Sequence, residues 1–439
     1  MRKPLEDIRI FAERRARLAQ KISGSALIVA AHPEYIRNHD AHFPYRQDSN
    51  LYYLTGFEEP SSILLFRPGQ NPETVMFVRK RDKERETWDG FRFGPELTEK
   101  NFGIQKAYPI EEFERIAPVL LKGVDNLYYR RLKNPEADEK VDTVLETLKV
   151  SQGRTGYGLL PVFDADELLG EMRLIKSEIE LNNQRQACEI SAQAHIAAMK
   201  FTRPGKTERQ IESVLMHHFL MSGSARMGYN AIVATGNNAT TLHYNFNDQT
   251  CKAGELLLID AGTEWNYFTG DITRTFPVSG KFTTAQAEVY QAVLDVQKEI
   301  LSVIKPGITF KFLQDMGSEL LTEKMLELGL FTGRREDIIA ANQHRRYYPH
   351  GIGHWLGMDV HDAGLYYIKG EPRAIEENMC FTIEPGLYIP QDDNEALEKY
   401  RGIGARIEDN VRVTRDGHEN MTSSVPKEIA DMEKLIGIA

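Results

Sequence analysis

Four acidic residues stand where extended, largely apolar runs begin or end. Asp260 closes Leu256-Leu257-Leu258-Ile259-Asp260, and Asp271 opens Asp271-Ile272-Thr273-Arg274-Thr275-Phe276. Glu384 follows Phe381-Thr382-Ile383, and Glu408 lies two residues beyond Arg406 in Ala405-Arg406-Ile407-Glu408. Side chains alternate along a strand, so Asp271 shares a face with Thr273 and Thr275, and Arg406 shares one with Glu408. If each pair of runs forms a hairpin, its acids meet beside apolar chain, where an uncompensated charge is costly. Four carboxylates carry four negative charges, which two divalent cations would balance. Carboxylates are also able to bridge ions about 3.5–4 Å apart. Oxygen-dominated ligation favours Mn2+ or Mg2+ over thiolate-seeking ions, with Zn2+ or Co2+ also able to enter. The competing reading is that each acid caps its strand or pairs with Arg274, Arg406 or Arg412. That reading suits any single acid better than it suits four in matched pairs.

Histidines supply the second set. Pro349-His350-Gly351-Ile352-Gly353-His354-Trp355-Leu356-Gly357 is followed by His361. Three histidines this close could form a mononuclear zinc site, but Gly351 and Gly353 make the segment a poor helix, so His350 and His354 are not a helical ligand pair. One of them as a metal ligand, with the others facing substrate, is the more economical expectation. His243, in Thr241-Leu242-His243-Tyr244, precedes the first acidic strand and is a further candidate.

The elements that must position these groups are partly legible. Arg203-Pro204-Gly205-Lys206-Thr207 recurs as Lys305-Pro306-Gly307-Ile308-Thr309, each copy between helical stretches and each upstream of an acid-ending strand. This suggests internal duplication. Ser177 with Glu180, and Thr207 with Gln210, form helix-starting boxes, and Arg203-Pro204-Gly205 stops the first of those helices. Before them, Ala26–Ala30, Leu51–Thr55, Ser62–Phe66, Thr74–Val78 and Leu127–Arg130 read as strands, and Glu6–Gln20 and Lys140–Lys149 as helices. The first domain closes in the Gly-containing stretch Gln152–Leu160, and the boundary falls near residue 174.

With 439 residues, two or three domains are expected. Lys plus Arg number 54 against 64 Asp plus Glu, a net charge of -10 that argues against a nucleic-acid binder. Cys188, Cys251 and Cys380 are too few and too scattered for a disulfide framework or a thiolate zinc site. The charged N-terminus, from Met1 to Arg17, has a helical pattern without a secretory apolar core, and the apolar runs are strand-sized. The expectation is a soluble, cytoplasmic, mixed α/β protein.

Taken together, these residues resemble the pita-bread metallopeptidases, most closely the aminopeptidase P (Xaa-Pro aminopeptidase) family. The matching motifs are Leu258-Ile259-Asp260-Ala261-Gly262, Gly270-Asp271-Ile272-Thr273-Arg274-Thr275-Phe276-Pro277, His350-Gly351, His354-Trp355-Leu356-Gly357 and Asp359-Val360-His361-Asp362. They continue in Thr382-Ile383-Glu384-Pro385-Gly386-Leu387-Tyr388 and Gly402-Ile403-Gly404-Ala405-Arg406-Ile407-Glu408-Asp409. Pro44-Tyr45-Arg46-Gln47, Leu51-Tyr52-Tyr53-Leu54-Thr55-Gly56-Phe57 and Glu171-Met172-Arg173-Leu174-Ile175-Lys176-Ser177 extend the likeness over nearly the whole chain. Asp164-Ala165-Asp166 departs from the family's Trp-Arg-Pro pattern, and nothing is carried over from it.

The resemblance implies a smaller N-terminal α/β domain over 1–173 and a pseudo-symmetric pita-bread catalytic domain over 174–439. It implies Asp260, Asp271, His354, Glu384 and Glu408 as ligands of two divalent ions, most often Mn2+. Glu384 would also be the general base, His243 and His361 would handle protons and orient substrate, and Arg406 would lie beside the site. His350 would lie near the substrate proline, with Tyr388 and Trp88 as further contacts, Trp88 supplied by a neighbouring subunit of a homo-oligomer (dimer or tetramer). The implied activity is release of the first residue from peptides with proline second, by a metal-bridged hydroxide. A dipeptide-restricted prolidase and a non-catalytic peptide-binding relative are the alternatives.

Overall fold

The protein is described here by a computed structural model, covering residues 6–156 and 160–437. The expectations for residues 1–5 and for part of Gln152–Leu160 fall outside the described residues. The chain divides into two compact units, Met1–Met172 and Arg173–Ala439.

The first unit is built on a six-stranded mixed sheet. Its order is Lys106–Pro109, Thr74–Val78, Ile63–Phe66, Ala26–Ala30, Leu127–Tyr129, Val162–Phe163. Ala26–Ala30 pairs antiparallel with Ile63–Phe66 and parallel with Leu127–Tyr129. Helices Phe113–Leu120 and Pro135–Gln152 lay Phe113, Ala117, Val141, Val144 and Leu148 against Ile28, Ile63, Leu65, Val75 and Phe77. The central strands Ala26–Ala30, Ile63–Phe66 and Thr74–Val78 are buried along almost their whole length because neighbours cover both faces, the expected signature of a buried sheet, whereas the edge strand Val162–Phe163 is exposed.

Leu51–Thr55, expected as a strand, is instead the body of a helix, Ser49–Thr55. Asp48 caps it by accepting the Leu51 N–H at 2.9 Å, and Gly56 ends it in the left-handed region at φ 66°. All seven helical residues are buried, which erases the amphipathic period that would betray a helix. The orphan carbonyls of its last turn are satisfied from another helix, Ile8–Lys21: Arg14 donates to Tyr53 O at 3.2 Å and Arg15 to Leu54 O at 2.7 Å.

The second unit carries the duplication. Its first half places helices Glu178–Phe201 and Glu208–Met221 before a sheet ordered Ile232–Thr235, Leu256–Ala261, Ile272–Pro277. Its second half repeats helices, Thr284–Val303 and Phe310–Glu327. It then forms the pairs Cys380–Ile383 with Asp409–Val413 and Gly386–Ile389 with Ile403–Arg406. The two Pro-Gly-X-Thr turns make matching helix caps and backbone bonds. Thr207 and Thr309 cap the following helices by accepting N–H groups of Gln210 at 3.2 Å and Phe312 at 3.0 Å. Gly205 (φ 87°) and Gly307 (φ 92°) occupy the left-handed region, and each donates its N–H at 2.9 Å, to Cys251 O and to Ile375 O.

The halves lock through one fully buried cation. Arg274 donates to the carbonyls of Thr273 at 2.9 Å and Glu408 at 2.6 Å, to the Asp409 carboxylate at 2.6 Å, and to Val425 O at 3.1 Å. Burial opposes ionisation of Asp409, but Arg274 and Lys427 outweigh it and hold the carboxyl well below the usual range. Removing one member of such a pair leaves a charge stranded in the interior. Arg274→Ala is therefore expected to lower stability by about 3–5 kcal/mol in urea unfolding of the metal-loaded protein.

Candidate metal centre

Strand register brings the first two acids together. Leu256–Ala261 pairs antiparallel with Ile272–Pro277, Asp260 opposite Thr273, so Asp271 sits one residue from the end of the partner strand. The Tyr229 hydroxyl bridges them, 2.7 Å from Asp260 Oδ1 and 2.5 Å from Asp271 Oδ1. The second half closes over this pair. The Glu408 N–H donates to Thr273 O at 3.0 Å, and the Thr273 hydroxyl returns a bond to Glu408 Oε2 at 2.7 Å. Asn410 fixes the backbone of Asp271 from both sides, accepting its N–H at 2.9 Å and donating to its carbonyl.

His354 faces the acids. Its Nδ1 lies 3.0 Å from Trp355 O; a carbonyl only accepts, so Nδ1 carries a proton and Nε2 points at Asp271 and Glu384, 3.4 Å from each. Ligand atoms of Asp271, His354 and Glu408 all lie within 4.8 Å of one another. Arg406 supplies the one guanidinium among the cleft-lining residues, donating to Asp260 Oδ2 at 2.6 Å, to Thr273 Oγ1 at 3.1 Å and to the Tyr388 hydroxyl at 3.0 Å.

The remaining candidates divide. Asp260, Asp271, Glu384, Glu408, His243, His350, His354, His361 and Arg406 all line one cleft of about 500 Å³, with Ile232, Leu242 and Val360 forming an apolar wall. His361 packs edge-on against His354, ring centroids 4.3 Å apart. His350 has both nitrogens engaged: Nδ1 meets Gly351 O at 2.7 Å and Nε2 meets the Tyr388 hydroxyl at 2.7 Å. Tyr388 thus stands behind His350. Trp88, on helix Lys83–Asp89 of the first unit, is 83% exposed. Tyr229, Thr273 and Asn410 belong to the site architecture without a signal that marks their roles. Tyr229 lies 31 residues before Asp260, in irregular chain after a two-residue strand.

The electrostatics test whether cations fit. Burial pushes Glu384 up to about 7 against the pull of His354 and Arg406, while burial and then the neighbouring acids push Glu408 well above the carboxylate range. Asp260 is raised by burial despite Arg406. Burial works against Asp271 too, but its bond and charge pairing with His354 outweigh that and hold it low. The same pairing outweighs burial at His354 and lifts it to about 9. Burial, with Arg406 nearby, pushes His350 down to about 3, so it is neutral at pH 7. The cleft is short of positive charge, and a neutral His354 aims a lone pair into a ring of carboxylate oxygens. Hard and borderline divalent cations answer both conditions.

An acid-and-imidazole cage of this kind on a duplicated α/β frame defines a metallopeptidase of the pita-bread class. The chain belongs to metallopeptidase family M24, which residues 182–415 match, while residues 11–128 match the aminopeptidase P N-terminal domain. It is 42% identical to a Xaa-Pro aminopeptidase of Haemophilus influenzae over 97% of this chain and 96% of that one. Among solved structures it is similar to an aminopeptidase of Pseudomonas aeruginosa (TM-score 0.94, 41% identity, 98% of both chains covered). It is also similar to zinc-substituted Escherichia coli aminopeptidase P in complex with product (TM-score 0.92, 38% identity, 98% of both).

If Glu384 (about 7) and His354 (about 9) hold the metal, loading displaces their protons, so binding at pH 7 is expected to release protons and to tighten as pH rises through that range. Calorimetry in two buffers of different ionisation enthalpy measures the release. Both groups have folded values above their unfolded ones, so the stability they lend the metal-free protein is full at low pH. It is lost as pH climbs from about 5 towards 9. Metal-free protein should therefore show a falling Tm over that window, with a widening gap to the loaded form.

Proposed function

We propose that the chain removes the N-terminal residue from peptides whose second residue is proline, with two divalent cations, Mn2+ foremost, held by Asp260, Asp271, His354, Glu384 and Glu408. The observation that carries this is the convergence of those five groups in one cleft of an M24 metallopeptidase. When bound, the cations would supply acidification of a water and polarisation of the scissile carbonyl.

The chain's own groups do the rest. Glu384, lifted towards neutrality, is poised to take a proton from the attacking water and hand it to the leaving nitrogen. That nitrogen belongs to a proline ring with fixed φ and no hydrogen to donate, and like any amide nitrogen it leaves only once protonated. His243 and His361 stand at the cleft as donors to the carbonyl oxygen as charge develops there. His350, with both nitrogens occupied, presents ring carbon to the proline and not a hydrogen bond. Arg406 holds Asp260 and, through Tyr388, the His350 ring. The substrate's free amine is drawn to the acidic end, which limits cleavage to the first residue.

Domain 1–173 is the N-terminal aminopeptidase P-type domain and 174–439 the catalytic one. Exposure of Trp88 suits a substrate contact given to a second copy in a homo-oligomer. Three free, buried cysteines suit the cytoplasm, and no described helix is long and apolar enough to cross a membrane.

Glu384→Gln is expected to lower kcat on Xaa-Pro-Yaa peptides by about 10²–10⁴, the usual worth of a general base, and wild-type turnover with metals bound would overturn its assignment. His243→Ala should lower kcat with metal content unchanged; a metal-free variant would make His243 a ligand. Comparing Xaa-Pro with Xaa-Pro-Yaa-Zaa, activity confined to the dipeptide would replace the aminopeptidase reading with a dipeptidase.

A further inference from the structure

The segment Asp359–Asp362 carries His361 to the cleft, yet among the described residues His361 itself makes only a ring contact, with His354, centroids 4.3 Å apart. Something beneath must hold it. The Asp362 side chain is 1% exposed and sits between two buried cations: Arg173 Nη2 at 2.5 Å from Oδ1 and Lys176 Nζ at 3.1 Å from Oδ2, side chains 3% and 1% exposed. Arg173 Nη2 also reaches Asp359 Oδ2 at 2.7 Å, so one guanidinium grips both ends of the segment. Backbone bonds register it: Asp362 N–H to Trp355 O at 2.9 Å, and Gly357 N–H to Asp359 O at 3.2 Å. Gly357 is needed for the approach. A methyl there would collide with Asp362 Oδ2 and press on Lys176 Cε at 3.1 Å.

We propose that Asp362, clamped by Arg173 and Lys176, is a positioning residue that sets His361 against the His354 ring. This rests on the reading of His361 as a substrate-facing donor. Three buried charged groups, Arg173, Lys176 and Asp362, with the part-exposed Asp359 at their edge, are weak evidence for stability, because packed apolar residues of similar volume often do as well. What it supplies here is direction. Charge-assisted bonds to both Asp362 oxygens fix the rotation of that carboxylate, and with it the backbone one residue from His361. A donor 1 Å out of place forfeits much of its effect on a developing oxyanion.

The test uses the full-length, metal-loaded protein. Asp362→Asn keeps shape and removes charge. It should lower kcat on a Xaa-Pro tripeptide by about tenfold or more, with KM and metal content near wild type. Hydrogen exchange over residues 356–366, read by mass spectrometry, should rise by about tenfold, as expected for a loop that has lost its anchor. In a His361→Ala background the same substitution should change kcat no further, because the two residues act as a unit. Should Asp362→Asn fail to fold, Asp362→Asn combined with Lys176→Met, which removes both charges together, carries the same measurements. Unchanged exchange, or a kcat loss of equal size in both backgrounds, would overturn the clamp. Wild-type kcat in His361→Ala alone would instead remove His361 from the mechanism, and the exchange result would then decide the clamp by itself.

Discussion

Repulsion among four carboxylates in a half-enclosed cleft is the interaction against which the catalytic unit is built. Two like charges about 4 Å apart cost roughly 4 kcal/mol at an effective dielectric of ~20. A folded domain commands only about 5–15 kcal/mol in total. The chain meets this in layers. Arg406 neutralises Asp260, Tyr229 donates into the Asp260–Asp271 pair, Thr273 donates to Glu408, and His354 offsets Asp271 and Glu384. What these leave uncompensated shows in the raised carboxyls of Glu384, Glu408 and Asp260, and that residue of repulsion is what makes the cleft a cation trap. Behind the trap, Arg274 ties the strands that carry Asp271 and Glu408 into one body. The acids therefore cannot relax by drifting apart.

Duplication supplies the frame but not the chemistry. Both halves carry the same Pro-Gly-X-Thr turn and cap between two helices, and both end a strand in an acid. The first half contributes two aspartates, the second two glutamates, one methylene longer, together with the histidine and the arginine. Short carboxylates on a tight hairpin meet at one hydroxyl, whereas the longer pair reaches across from the partner half. An exact repeat would leave the site symmetric, with no group singled out to move a proton. The asymmetry gives Glu384 surroundings unlike those of the other three.

The acids were legible because a charged residue at the end of an apolar strand is anomalous and four in matched pairs more so. The capping boxes at Ser177 and Thr207 were legible for the same local reason, and each now reads as reciprocal bonds, with Ser177 N–H to Glu180 at 2.7 Å and Thr207 N–H to Gln210 at 3.0 Å. What stayed hidden is non-local. The helix Ser49–Thr55 is buried on every side and has its carbonyls satisfied by arginines 39 residues away, so no local period survives. Tyr229 and Asn410 act through partners 42 and 139 residues distant, and neither tyrosine nor asparagine is unusual where it stands.

The two histidines of His350-Gly351-Ile352-Gly353-His354 make the same point at atomic scale. Each turns Nδ1–H to a backbone carbonyl, Gly351 O for one and Trp355 O for the other, and so each exposes Nε2 as an acceptor. For His350 that acceptor is taken by Tyr388, whose hydroxyl burial pushes up to about 12 and which therefore keeps its proton to donate. For His354 the acceptor meets only carboxylate oxygens, which have no proton to give unless they are themselves neutralised. An imidazole lone pair opposed by anions is stable only with a cation between them, a proton in the metal-free protein and a metal ion in the loaded one. Spacing and residue type are identical for the two rings. The neighbour at Nε2 alone separates a ring whose lone pair is already taken from one that can hold a metal.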